Sequence, residues 1–255
     1  MINAMNRLAQ ATFALLLLTH LILYSLMRDL TSLAVFGNAA QGIALVLAAL
    51  QFTRAAVQTR EKNEIRPRAL IAVGLWIFVF AHAMVAYSEL LLKSPSAGTV
   101  ADVLWLIGYI VITRSMVMKT NENLDKKSRI RRQAGLLTII AAIVAVASIK
   151  PLTGNDSLPV KLLNIAFPFF DLWISGMAFL VARQTRESRW MLLAFGSFVT
   201  GIADLILAYF PAMSSPIYRT MDIPLFIGYS MWWLLGTSFA ASTSPPTVEP
   251  AHRPE

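Results

Sequence analysis

Asp171 and Asp204 are the two residues whose chemistry sits worst with their surroundings. Each carboxyl lies inside an apolar run, PFFDLWISG at 168–176 and TGIADLILAYF at 200–210. A charge at the centre of a bilayer costs a few kcal/mol or more. Such an acid must be protonated, hydrogen-bonded to a neighbour, or face a wet cavity. In that setting it can activate water, exchange a proton or hold the polar end of a ligand. His20 and His82 add two imidazoles, and Glu89 follows His82 by seven residues, two turns along one helix face. A further pattern occurs twice: Asp102, Gly108, Tyr109 and, 120 residues on, Asp222, Gly228, Tyr229. The bland reading of Asp102 and Asp222 is helix capping, that of the tyrosines is interhelical hydrogen bonding, and that of Pro168 is a kink beside Asp171. The histidines would ligate a haem, or a metal together with Glu89 or Asp204, as the minor alternative to hydrogen-bonding a partner helix.

The elements that must position these groups are membrane helices. The chain has 255 residues, of which 56% are hydrophobic and 14% charged, against about 25% charged in soluble domains. Hydropathy predicts an all-α polytopic protein of eight transmembrane helices, at 8–27, 32–53, 69–92, 100–118, 134–149, 160–182, 190–210 and 220–241. They form one membrane domain over 1–241, and the Pro-rich tail 242–255 reads as disordered. Helix 1 has a basic residue before an apolar run, but no small-residue cleavage site follows, so it is kept as a span. With no cysteine, disulfide and thiolate chemistry are excluded. Hydrolase, nucleotide-binding and zinc motifs are absent too.

The net charge of +8 does not point to nucleic acid, because the basic residues cluster in short loops on one side. That side holds 17 of the 22 Lys and Arg, including the run KKSRIRR at 126–132, and so predicts cytoplasmic termini. At the helical rise, His20, His82 and Asp204 all stand roughly 18–21 Å from that face.

The second half of the chain resembles the first. AVQTREKN at 56–63 matches ARQTRESR at 182–189, and Asn38 matches Asn164, both at an offset of 126. AHAMVAY at 81–87 matches ADLILAY at 203–209 at an offset of 122, placing His82 where the second copy has Asp204. Four helices per copy is an even number, so the copies, about 8–118 and 134–241, form a parallel 4+4 repeat.

These motifs in this order resemble the N-terminal membrane sensor region of bacterial diguanylate cyclases and some sensor kinases. The counterparts are Pro95, Ser96 and Asp102 with Gly108-Tyr109, then Pro168 and Asp171, then Ala203-Asp204, then Asp222 with Gly228-Tyr229. The resemblance covers about 66–240 and implies sensing from the outer side. That family usually carries an acid at the position of His82, and no output domain follows the last helix here. A weaker resemblance, through IADLILAYF at 202–210, is to the eight-helix lysoplasmalogenase family; its first-half Gly-Asp is missing.

The expectation is therefore a bacterial inner-membrane, receptor-like or accessory protein. It binds a small molecule or lipid in an outward pocket lined by His20, His82, Glu89, Asp171 and Asp204, with Asp102, Tyr109, Asp222 and Tyr229 at the rim. A protein partner reads helix movement on the basic loops at 54–68 and 114–132. The alternatives are an intramembrane lipid hydrolase, with Asp171 or Asp204 as base and His82 as partner, and a structural subunit of a larger complex carrying haem, pigment or quinone.

Overall fold

A computed structural model describes residues 2–27, 29–93, 100–122, 126–153, 157–209 and 220–243. All regular structure among them is helical: α1 (Ile2–Leu26), α2 (Leu30–Gln58), α3 (Lys62–Leu90), α4 (Val100–Glu122), α5 (Lys126–Ala147), a short α6 (Ile149–Thr153), α7 (Leu158–Thr185), α8 (Trp190–Tyr209) and α9 (Asp222–Thr243). Seven of the long helices, α2–α5 and α7–α9, are long and apolar enough to cross a bilayer. The chain is a multi-pass membrane protein. The apolar part of α1 is shorter, Gln10–Leu26.

The helices overrun the apolar stretches that announce them. α3 begins at Lys62 rather than 69, and α5 at Lys126 rather than 134. Hydropathy marks the hydrocarbon, whereas helical hydrogen bonding continues into the charged turns beyond it. α2 starts where Asp29 caps it, its carboxylate accepting from the Ser32 N–H at 2.7 Å. Pro168 lies within α7, which runs unbroken from Leu158 to Thr185. Residues 242 and 243, placed in the tail by the sequence, still belong to α9, and the rest of that tail lies outside the described residues.

Six helices close a ring. α2 packs on α3, α3 on α4, α4 on α7, α7 on α8, α8 on α9, and α9 back on α2. α1 leans on the ring mainly through α9, and α5 through α7. The middle is filled by large apolar side chains, among them Leu45, Phe52, Phe78, Ile112, Met116, Ile174 and Trp232. Leu15, Val35, Ile43, Phe80, Ile110 and Phe195 point outward, where lipid tails solvate them.

Two crossings within the ring are unusually close. A Cβ added at Gly108 of α4 would lie 3.1 Å from the Gly74 carbonyl oxygen of α3. One added at Gly228 of α9 would lie 2.9 Å from the Gly196 carbonyl oxygen of α8. Glycine lets the backbones meet there, as small residues do in membrane bundles.

The basic end of the ring is tied by charge. Lys119 of α4, 4% exposed, donates to Glu64 of α3 and to Glu122 at 2.7 Å. Arg68 bonds Glu64 at 3.2 Å. The guanidiniums of Arg68 and Arg189 both stack on Phe239 of α9, 4.6 and 4.5 Å from the ring centre. Glu187, in the turn before α8, bonds Arg189 at 3.0 Å and accepts from the Trp190 indole at 3.2 Å.

Partial burial by itself would raise the Glu187 carboxyl, but the Arg189 hydrogen bond and charge outweigh it and hold the group below its ordinary value. A depressed acid contributes stability above its unfolded pKa and loses it as the pH falls through its folded one. Glu187→Gln is therefore expected to lower the melting temperature at pH 7, with the gap to wild type closing below about pH 4. Melts of both proteins from pH 7 to pH 3 check this; a gap that stays constant refutes it.

Candidate functional site

Most of the nominated side chains sit on a buried stripe of their helix, while Glu89 and Asp204 are half-buried. On α4 the stripe runs Tyr109, Ile112, Met116, and on α7 it runs Asp171, Ile174, Ala178. On α8 it runs Ser197, Thr200 and then Asp204, and on α9 Phe226, Tyr229, Trp232. These spacings of three and four residues lay one face of each helix toward the interior.

Four of the nominated residues come together where α4, α7, α8 and α9 meet. The Tyr109 hydroxyl donates to Asp171 Oδ2 at 2.8 Å. The Asp204 carboxyl stands within hydrogen-bonding range of that of Asp171, and the Thr200 hydroxyl is also close. Tyr229 faces the same two acids. Asp171 is 1% exposed, whereas Asp204 keeps some accessible surface. Aromatic rings enclose the group: Tyr109 stacks on Phe170 at 5.6 Å, Trp105 on Tyr229 at 6.4 Å, and Phe78 lies 4.5 Å from Trp105 and 4.8 Å from Tyr109.

A second polar cluster joins α2, α3 and α9. His82 Nε2 lies 2.8 Å from the Asn38 carbonyl oxygen. A carbonyl only accepts, so this nitrogen carries the hydrogen and donates. The Asn38 amide donates to Glu89 Oε2 at 2.8 Å and to the Ala34 carbonyl at 2.9 Å. The Gln41 amide donates to Asp222 Oδ1 at 2.8 Å. Gly37 makes room for that carboxyl: a Cβ there would lie 2.3 Å from Asp222 Oδ2.

His82 is thus bonded to α2, not to Asp204 as a hydrolytic pair would require. His20 stands elsewhere, 2% exposed, stacked on Phe226 of α9 at 4.5 Å and 4° and near Phe36. Neither of its ring nitrogens has a hydrogen-bond partner among the described residues. With His82 Nε2 committed to a carbonyl, the two histidines do not present matched free Nε2 atoms to a haem. Among the described residues no group of three or more His, Asp or Glu is arranged to hold a metal ion. Asp102 is buried in the first turn of α4. Pro95 and Ser96 lie outside the described residues, as does the Tyr209 side chain.

No family model, curated protein or solved structure matches the chain.

Sequence reasoning passed over Gln41 and left Asn38 as a repeat marker only. Their signal was two amides three residues apart in an apolar helix, hence on one face. An apolar groove of ≈ 690 Å³, lined by Ile77, Phe80, Met84, Tyr87, Leu92 and Leu104, runs along the outside of α3 and α4 and contains none of the nominated residues.

Proposed function

We propose that this chain is a receptor-like module of the bacterial inner membrane. It holds a small molecule or lipid head at the outward half of the ring and reports occupancy to a protein partner. The observation that carries the reading is the convergence of Tyr109, Asp171, Asp204 and Tyr229 from four helices on one buried spot. Structural packing alone has no need of two carboxyls there, since apolar side chains of similar volume would stabilise the ring as well or better.

The parallel 4+4 repeat belongs to this reading. The two glycine crossings correspond at the offsets of the sequence match: Gly74 to Gly196 at 122, Gly108 to Gly228 at 120. The ring order is also the same when α2, α3 and α4 are exchanged with α7, α8 and α9, with α1 and α5 outside it. The halves meet at the two interfaces where α4 touches α7 and α9 touches α2, so a ligand between them is placed to shift one half against the other. With the basic loops inside, both termini are cytoplasmic, the acid pair opens outward, and the loops at 54–68 and 114–132 face the partner. The resemblance to membrane sensor regions agrees with this arrangement.

The test is native mass spectrometry of the protein purified in its own lipids. Wild type is expected to retain a bound mass that the folded Asp204→Asn variant loses. Retention by both, or no bound mass in wild type, refutes the pocket. Lipid turnover by wild type that Asp204→Asn abolishes would instead favour the hydrolase.

A further inference from the structure

We propose that the Asp171–Asp204 pair is a site for an organic monocation with its charge on nitrogen, and that a proton competes with it there. This rests on the pocket reading above and names the ligand class.

Asp171 feels Asp204, and Tyr109 and Tyr229 feel both acids; among the described residues no Lys, Arg or His stands among the leading influences on these four. Two neighbouring carboxyls in a low-dielectric interior cannot both stay ionised without a counter-charge. Either they share a proton or a cation joins them. An anion is excluded by the same charges, and a neutral ligand leaves them uncompensated.

The pair also holds an open acceptor. Tyr109 satisfies Asp171 Oδ2, but Oδ1 of this 1% exposed residue accepts no hydrogen bond. The nearby Thr200 hydroxyl donates to the Ser197 carbonyl at 3.0 Å instead. Asp204 brings a second acceptor where a donor is needed; an ammonium that carries an N–H supplies one, whereas a quaternary ammonium answers the charge alone.

The tyrosines beside the acids belong to aromatic stacks, Tyr109 on Phe170 and Tyr229 on Trp105. Aromatic rings attract alkylammonium groups, an attraction that an inorganic cation held by the oxygens alone would not exploit. Asp204 retains accessible surface and Asp171 does not, so the cation enters past Asp204.

Competition with the shared proton fixes the sign of the pH dependence. Binding releases a proton, so affinity rises with pH. The titratable groups facing the pair are Tyr109 from α4 and Tyr229 from α9. Leu136, Ile140 and Val144 of α5 pack toward α7, and His82 is held on α2.

The full chain in nanodiscs is titrated with choline, tetramethylammonium and methylammonium, with sodium and 3,3-dimethyl-1-butanol, the neutral isostere of choline, as controls. At least one ammonium is expected to raise the melting temperature saturably, at least tenfold more potently than sodium or the alcohol. Its affinity rises by up to tenfold per pH unit, and the binding heat varies with the ionisation enthalpy of the buffer. Asp204→Asn, where it folds, weakens binding at least tenfold; the comparison of choline with its isostere needs no variant. No response to any ammonium, an equal response to the alcohol or to sodium, or undiminished binding by folded Asp204→Asn overturns the proposal. A co-purifying mass that depends on Asp204, with no ammonium response, refutes this inference and leaves the pocket standing. Absence of both removes both.

Discussion

Lys119→Met is expected to destabilise the protein by about 3 kcal/mol, the low end of what breaking a buried ion pair costs. The ammonium is 4% exposed and bonded to Glu64 and Glu122. Methionine keeps most of the volume, so little of the loss comes from packing. The cost arises because Glu64, its side chain 16% exposed, keeps only Arg68, while Glu122 at 29% can turn to water. Glu64→Gln should remove part of the penalty, so Lys119→Met costs less in that background than in wild type. Unfolding midpoints of the four proteins of this cycle check it. Strict additivity would mean the two groups do not stabilise each other.

Gly228→Val is expected to cost about 1–3 kcal/mol or more, as overpacking does, and to disturb the site as well. The added carbons would meet Thr200 Cγ2 at 2.4 Å and the Gly196 carbonyl at 2.9 Å. A backbone carbonyl cannot rotate away, so α8 and α9 must separate. That moves Tyr229 relative to Asp204, the residues next to and one turn from the collision. Gly135→Ala in α5 is the control, because its Cβ meets nothing within 4 Å. Alanine there should be neutral or stabilise by up to about 1 kcal/mol through helix propensity. Thermal melts in one detergent compare the two, and equal effects would refute the close crossing.

How much of this was legible beforehand depends on the kind of residue. Asp171, Asp204, Tyr109 and Tyr229 stood out because an acid or phenol deep in an apolar helix has few ways to be satisfied. The partner of His82 did not, because it is the backbone carbonyl of Asn38, and every residue has one. Gln41 was passed over because an uncharged amide raises little alarm, although it donates to Asp222 Oδ1. The aromatic wall was invisible for a different reason. In a chain with 14 Phe and 6 Trp, nothing in the spacing singles out Trp105 or Phe170. The helices were legible as spans but not in their ends, since Lys62 and Lys126 begin turns that hydropathy assigns to loops. The tie of Lys119 to Glu64 joins residues 55 apart, and only the folded ring brings them together.

The knot of charges around Phe239 carries a consequence for transit. Glu64, Arg68, Lys119 and Arg189 fasten α3, α4, α8 and α9 to one another at the basic end. On the proposed function, a solute arriving beside Asp204 from the opposite end would meet this fastened end and leave by the route it entered. On that proposal the ring would register its contents without conducting them, and turning it into a conduit would mean prising apart four helices at once.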